Sequence, residues 1–147
     1  MCNDDWGFNT QTMLSPDLLR KYVFPWHKKT VFMAHSNNKP AILHSCGYPF
    51  EIMDDVIEDL HYDAKHSFED NIVTVEEAYK LWGNRIAILG GIDLNFLCTR
   101  SLDEIRLRAE NLIALTENKS YALGSGNSIP SYVPDESFHA MRKAALV

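Results

Sequence analysis

The sequence predicts an α/β fold in which a parallel sheet is covered by helices on both sides. Three observations carry that prediction. Ala41-Ile42-Leu43, Ile86-Ala87-Ile88-Leu89 and Tyr121-Ala122-Leu123 are apolar throughout, as strands buried on both faces are. These runs alternate with longer segments of helical period, so that strand ends fall near residues 43, 64, 89 and 123. That is the roughly 20–35-residue spacing of βα units. Each strand also runs directly into polar or glycine-rich residues. An open doubly wound sheet and part of a barrel both fit this order.

The elements follow in turn. Ser15-Pro16-Asp17 starts a helix, with a hydroxyl N-cap, proline at the first helical position and an acid near the positive end of the dipole. Leu18, Leu19, Tyr22, Val23 and Trp26 recur on one face, Pro25 should kink or interrupt the segment, and the helix runs to about His35. Asn37 to Pro40 makes a turn into the first apolar strand. Phe50, Met53, Val56, Ile57 and Leu60 mark a second amphipathic helix, and Tyr62-Asp63-Ala64 begins the next strand.

Thr74-Val75-Glu76-Glu77 is a capping box whose helix stops at Gly83-Asn84. Ser101-Leu102-Asp103-Glu104 is another, and its helix presents Leu102, Ile105, Ala109, Leu112 and Ile113 inward. A turn around Pro130 and Pro134 leads to a last helix through Met141.

A chain of 147 residues, 46% hydrophobic, supports one domain over residues 1–147 with a real core. It is too short for a whole (β/α)8 barrel of about 250 residues. A net charge of -6 argues against nucleic acid and anionic membrane as partners. No apolar run is long enough to span a bilayer, and the N-terminal residues lack the basic and apolar regions of a signal peptide. Cys2, Cys46 and Cys98 form no disulfide pattern, so a reducing cytoplasm is the expected home. Cys98 reads as a core residue and Cys2 as incidental.

In either architecture ligands meet the C-terminal ends of the strands. His44 and Cys46 follow one strand, Lys65 and His66 the next, Asp93 the third, and Ser125 with Asn127 the fourth. Asn3-Asp4-Asp5 stands where a further strand would have ended. One edge of the sheet therefore collects the chemistry. His44-x-Cys46 is its sharpest element, because residues two apart in an extended segment point the same way and imidazole and thiolate both bind zinc. The alternative is a small buried cysteine beside a hydrogen-bonded histidine. Asp93 offers two readings as well, a site carboxylate or a cap on the helix that follows.

Asp4-Asp5-Trp6-Gly7, Leu14-Ser15-Pro16, Ile42-Leu43-His44-Ser45-Cys46-Gly47 and Lys65-His66-Ser67-Phe68-Glu69-Asp70 together resemble the uroporphyrinogen decarboxylase superfamily. Leu89-Gly90-Gly91-Ile92-Asp93 and Gly126-Asn127-Ser128-Ile129-Pro130 continue the resemblance over nearly the whole chain. It implies part of a (β/α)8 barrel, about four parallel strands from its second half. His44 and Cys46 are similar to the metal-binding pair of the branch that moves methyl groups between corrinoid proteins and thiols with zinc. The resemblance implies His44 and Cys46 as metal ligands, His66 and Asp93 as catalytic residues, and Asp5, Ser125 and Asn127 as substrate contacts.

That branch carries a further zinc-binding cysteine at the position of Asn127, and no cysteine follows Cys98. His66, Asp93 or Asp5 would have to complete a zinc site. The other branch, uroporphyrinogen decarboxylase proper, needs no cofactor and acts on a tetrapyrrole; it has histidine where Asn127 stands. A half barrel also leaves open strand edges. The expected chain is therefore a portion of a longer protein, or one that pairs with itself or another chain. An inactive barrel portion or partner subunit is the non-enzymatic reading, and a thiol, a methyl-corrinoid or a tetrapyrrole is the expected small-molecule substrate, with a corrinoid protein as possible partner.

Overall fold

Cys2–Asn3, Ile42–His44 and Ala64–His66 form three strands, β1, β2 and β3, and each pairs with the next in parallel. The computed structural model describes residues 1–117 and 119–146, whose contacts divide the chain into two compact units, Met1–His66 and Ser67–Val147. In the second unit Ala87–Leu89 (β4) and Tyr121–Ala122 (β5) are again parallel neighbours. The expected strands are therefore present, and β1 is added to them. β3 lies slightly later than expected, because Asp63 is used before the strand begins. Its carboxylate accepts the Ala41 N–H at 2.7 Å, and Lys65 and His66 enter the strand itself.

In the first unit Ser15 caps the helix, its hydroxyl accepting from the Leu18 N–H at 3.4 Å, and Pro16 occupies the first turn. The short helix α1 (Pro16–Leu18) passes into one wide π-helical turn over Leu19–Val23 and then into α2 (Phe24–Ser36). Pro25 thus neither ends nor breaks the helix. Its missing N–H and its clash with the carbonyl four residues back are absorbed where the turn widens and the Phe24 N–H reaches back to Leu19 O. The second amphipathic segment also contains a π turn, Asp55–Asp59. Ile52, Met53, Val56, Ile57 and Leu60 are buried, while Phe50 stays half-exposed beside the Tyr48 ring.

In the second unit α3 (Val75–Trp82) starts where Thr74 accepts from the Glu77 N–H, and it stops before Gly83 as expected. A six-residue helix, α4 (Leu94–Thr99), follows Asp93. α5 (Leu102–Thr116) opens on the full reciprocal Ser101–Glu104 capping box, and α6 (Asp135–Lys143) comes last. Ile88, Ile92, Leu97, Ile105, Ala109 and Leu112 form the core between these helices and β4. Two expectations are corrected. Cys98 is exposed, because α4 buries the adjacent Leu97 instead. Leu102 is also exposed, since the first residue after the cap lies outside the stripe defined by Ile105, Ala109 and Leu112. Among the described residues no helix is long and apolar enough to cross a membrane.

Candidate functional site

The register of the first unit aligns Asn3 with His44 and His44 with His66. Residues opposite one another in a parallel pair share a face, so the two imidazoles lie side by side, 4.9 Å between ring centres. Their Nδ1 atoms are 2.7 Å apart, a hydrogen bond in which one ring donates and the other accepts. Beyond β2 the chain turns, and the Cys46 Sγ comes to 3.7 Å from His44 Nε2.

That turn is held from several sides. The Ser45 N–H donates to His66 O at 2.8 Å, and the buried Lys65 ammonium donates to Ser45 O at 3.1 Å. The Cys46 N–H donates to Asp5 Oδ1 at 2.9 Å, which draws the loop after β1 to the loop after β2. Gly47 has φ +87°, and a Cβ there would strike the Gly7 carbonyl; a Cβ on Gly7 would in turn strike the Tyr48 N–H. Only a glycine pair lets the two loops approach this closely.

Asp5, His44 and Cys46 consequently offer ligand atoms that all lie within 4.8 Å of one another. The donor set suits zinc: carboxylate, imidazole and thiolate are its three usual protein ligand types. Zinc–sulfur and zinc–nitrogen bonds of about 2.3 and 2.0 Å at a tetrahedral angle separate the two donors by about 3.6 Å. The 3.7 Å between Sγ and Nε2 matches. Of the three residues that could have completed the His44–Cys46 pair, Asp5 is the one that joins this cluster.

Below the same loop lies a second polar chain. His27 on α2 meets the Tyr62 hydroxyl through Nδ1 at 2.7 Å and the Asp4 carboxylate through Nε2 at 3.0 Å. Burial, followed by a hydrogen bond with the Cys2 side chain and the charges of Cys2 and Asp4, pushes the Tyr62 hydroxyl far above the ordinary phenol range. Trp6 closes over this group, its ring 4.8 Å from His27 and 5.1 Å from Phe24.

The remaining predicted residues belong to the second unit. Asp93 Oδ1 accepts the Asn95 and Phe96 N–H groups at 2.7 and 3.2 Å, capping α4, and Oδ2 accepts the Asp70 N–H at 3.2 Å. It also lines a cavity of about 630 Å³ together with Phe68, Phe96, Arg100, Asn127 and Tyr132. Asn127 Oδ1 accepts the Ser128 N–H, and Ser125 donates its hydroxyl hydrogen to Asn127 O at 2.7 Å. Gly126 packs against the Phe68 carbonyl, and the Phe68 N–H donates to Gly126 O.

Behind the cavity wall Arg108 on α5 grips two carboxylates, Asp70 at 2.6 and 2.8 Å and Glu76 at 2.9 and 3.0 Å, with its guanidinium over the Phe96 ring. Burial alone would raise the Glu76 carboxyl, but the hydrogen bonds and charge of Arg108 outweigh it and hold the group below its ordinary value. Sequence reasoning did not single out Arg108 or His27. A signal existed for each. Arg108 falls on the Ile105–Ala109–Leu112 stripe, and His27 falls on the Phe24–Val31 stripe. A polar residue inside an apolar stripe must find partners.

Residues 2–146 match the uroporphyrinogen decarboxylase (URO-D) family. The chain belongs to that family. Its fold is shared with a solved structure, a methyltransferase from Methanosarcina mazei, at a TM-score of 0.70 and 24% sequence identity over 89% of this chain. The chain spans 37% of that structure's length, so its α/β fold is part of a (β/α)8 barrel. No curated protein sequence matches it.

Proposed function

We propose that this chain is the metal- and substrate-binding portion of a methyltransferase of the uroporphyrinogen decarboxylase family, using zinc to activate a thiol for methyl transfer from a corrinoid. The observation that carries the reading is the convergence of Asp5, His44 and Cys46 within 4.8 Å. Three protein ligands leave a fourth tetrahedral position for substrate, the arrangement of catalytic rather than structural zinc sites. Zinc held there would lower the pKa of a bound thiol and present it as a thiolate nucleophile.

The protein's own residues do the rest. Two anionic ligands, Asp5 and Cys46, balance a divalent charge, and neutral His44 supplies the third donor. The Gly7–Gly47 contact holds the carboxylate and the thiolate at a fixed separation before any ion arrives. In the second unit Asp93 and Asn127 face the ligand cavity, and Ser125 sets the Asn127 backbone. A corrinoid protein is the proposed methyl donor, and the remainder of a barrel, on this or another chain, is the proposed structural partner.

The test is metal content and affinity. Purified protein should carry about one zinc per chain, and Cys46→Ser should lose it while remaining folded by circular dichroism. A folded protein without measurable zinc affinity would sink the proposal. It would favour the second reading that the family's description supports, decarboxylation of a tetrapyrrole with no metal at His44 and Cys46.

A further inference from the structure

His66 stands in register with His44 but outside the ligand cluster. The 2.7 Å Nδ1–Nδ1 hydrogen bond contains one ring proton, and two assignments are open to it. If His66 donates, neutral His44 carries its proton on Nε2, pointing at the Cys46 sulfur 3.7 Å away. That proton occupies the lone pair a metal would need. If His44 donates from Nδ1, its Nε2 lone pair opens toward Cys46 and Asp5.

We propose that His66 is a positioning residue, the acceptor that holds His44 in its Nδ1–H tautomer and so keeps Nε2 available as a metal ligand. Its consequence for metal rests on the reading above; the tautomer itself does not. The His66 ring is well placed to do this. Its backbone carbonyl is fixed by the Ser45 N–H, and its strand is paired to β2 at His44. A histidine's free nitrogen is set by the hydrogen bond its other nitrogen makes, and such outer partners are worth about 10–100-fold in metal affinity.

Two variants of the full chain separate this role from simple packing. His66→Asn places an amide oxygen where Nδ1 was and keeps an acceptor. His66→Phe keeps the ring and removes it. Zinc affinity should fall about 10–100-fold in H66F and stay within about threefold of the parent in H66N. Nitrogen-15 NMR of the metal-free protein near pH 8, where histidine is neutral, reads the tautomer directly. His44 should be protonated on Nδ1 in the parent and H66N, and on Nε2 in H66F. A parent with His44 protonated on Nε2, or an H66F variant that binds zinc like the parent, overturns the inference. If the parent binds no zinc at all, the methyltransferase reading falls, and the NMR result still decides the role of His66.

Discussion

Replacing Arg108 with methionine tests the second unit's internal clamp. The guanidinium makes four contacts of 2.6 to 3.0 Å to Asp70 and Glu76. Removing one partner of a fully buried ion pair costs about 3–5 kcal/mol. Here the Asp70 and Glu76 side chains keep 31% and 32% of their exposure, so water relieves part of that cost. Methionine also preserves packing over Phe96. The expected loss is about 2 kcal/mol at pH 7. In urea, with a slope of about 2 kcal/mol per molar, the midpoint should drop by about 1 M.

The pH dependence gives a second handle on the same substitution. Glu76 is held below its ordinary value of 4.5, so its contribution is full above that pH and is lost as pH falls through the lower folded value. In Arg108→Met only burial acts on Glu76, which raises its pKa, so acid relieves the variant. The gap between parent and variant should therefore shrink below about pH 4.5. A loss under about 0.5 kcal/mol at neutral pH, or a gap that widens on acidification, would refute the argument.

The first unit supplies the remaining predictions. Gly47→Ala should destabilise by at least about 2 kcal/mol in urea unfolding, since φ is positive and the Cβ meets the Gly7 carbonyl; an unchanged midpoint would mean the loops are not in contact. Tyr62→Phe leaves His27 Nδ1 without its 2.7 Å partner and should cost about 1–2 kcal/mol by the same measurement. Asp5→Ala should weaken zinc binding in calorimetric titration by at least about tenfold; equal affinity would remove Asp5 from the ligand set.

Much of this fold was legible because its signals are local. The Ser15 cap, the Ser101–Glu104 box and the wholly apolar run ending at Leu89 each declare an element within a few residues. His44-x-Cys46 was legible for the same reason, as a two-residue spacing whose side chains do converge. What could not be read was which distant residue meets which. Asp5 reaches Cys46 from 41 residues away and Arg108 reaches Asp70 from 38, distances bridged only by strand register and helix packing. Asp93 shows the boundary well. The sequence allowed both a cap and a site residue, and the folded chain uses its carboxylate as a cap while setting it against a cavity.

The wide turn over Leu19–Val23 has a consequence for how this helix tolerates change. A π turn is an α-helix holding one surplus residue, and each residue advances the helix by about 100°. Deleting any one of these five residues would restore an ordinary helix and rotate everything beyond it by that angle relative to what precedes. His27, now turned inward with only 12% of its side chain exposed, would swing off Tyr62 and Asp4, while Trp26, at 65%, would change places on the surface. The surplus residue is thus a phase setting. It lets one helix carry Leu19 into the core on one side of the turn and present His27 beneath the Asp4–Asp5 loop on the other.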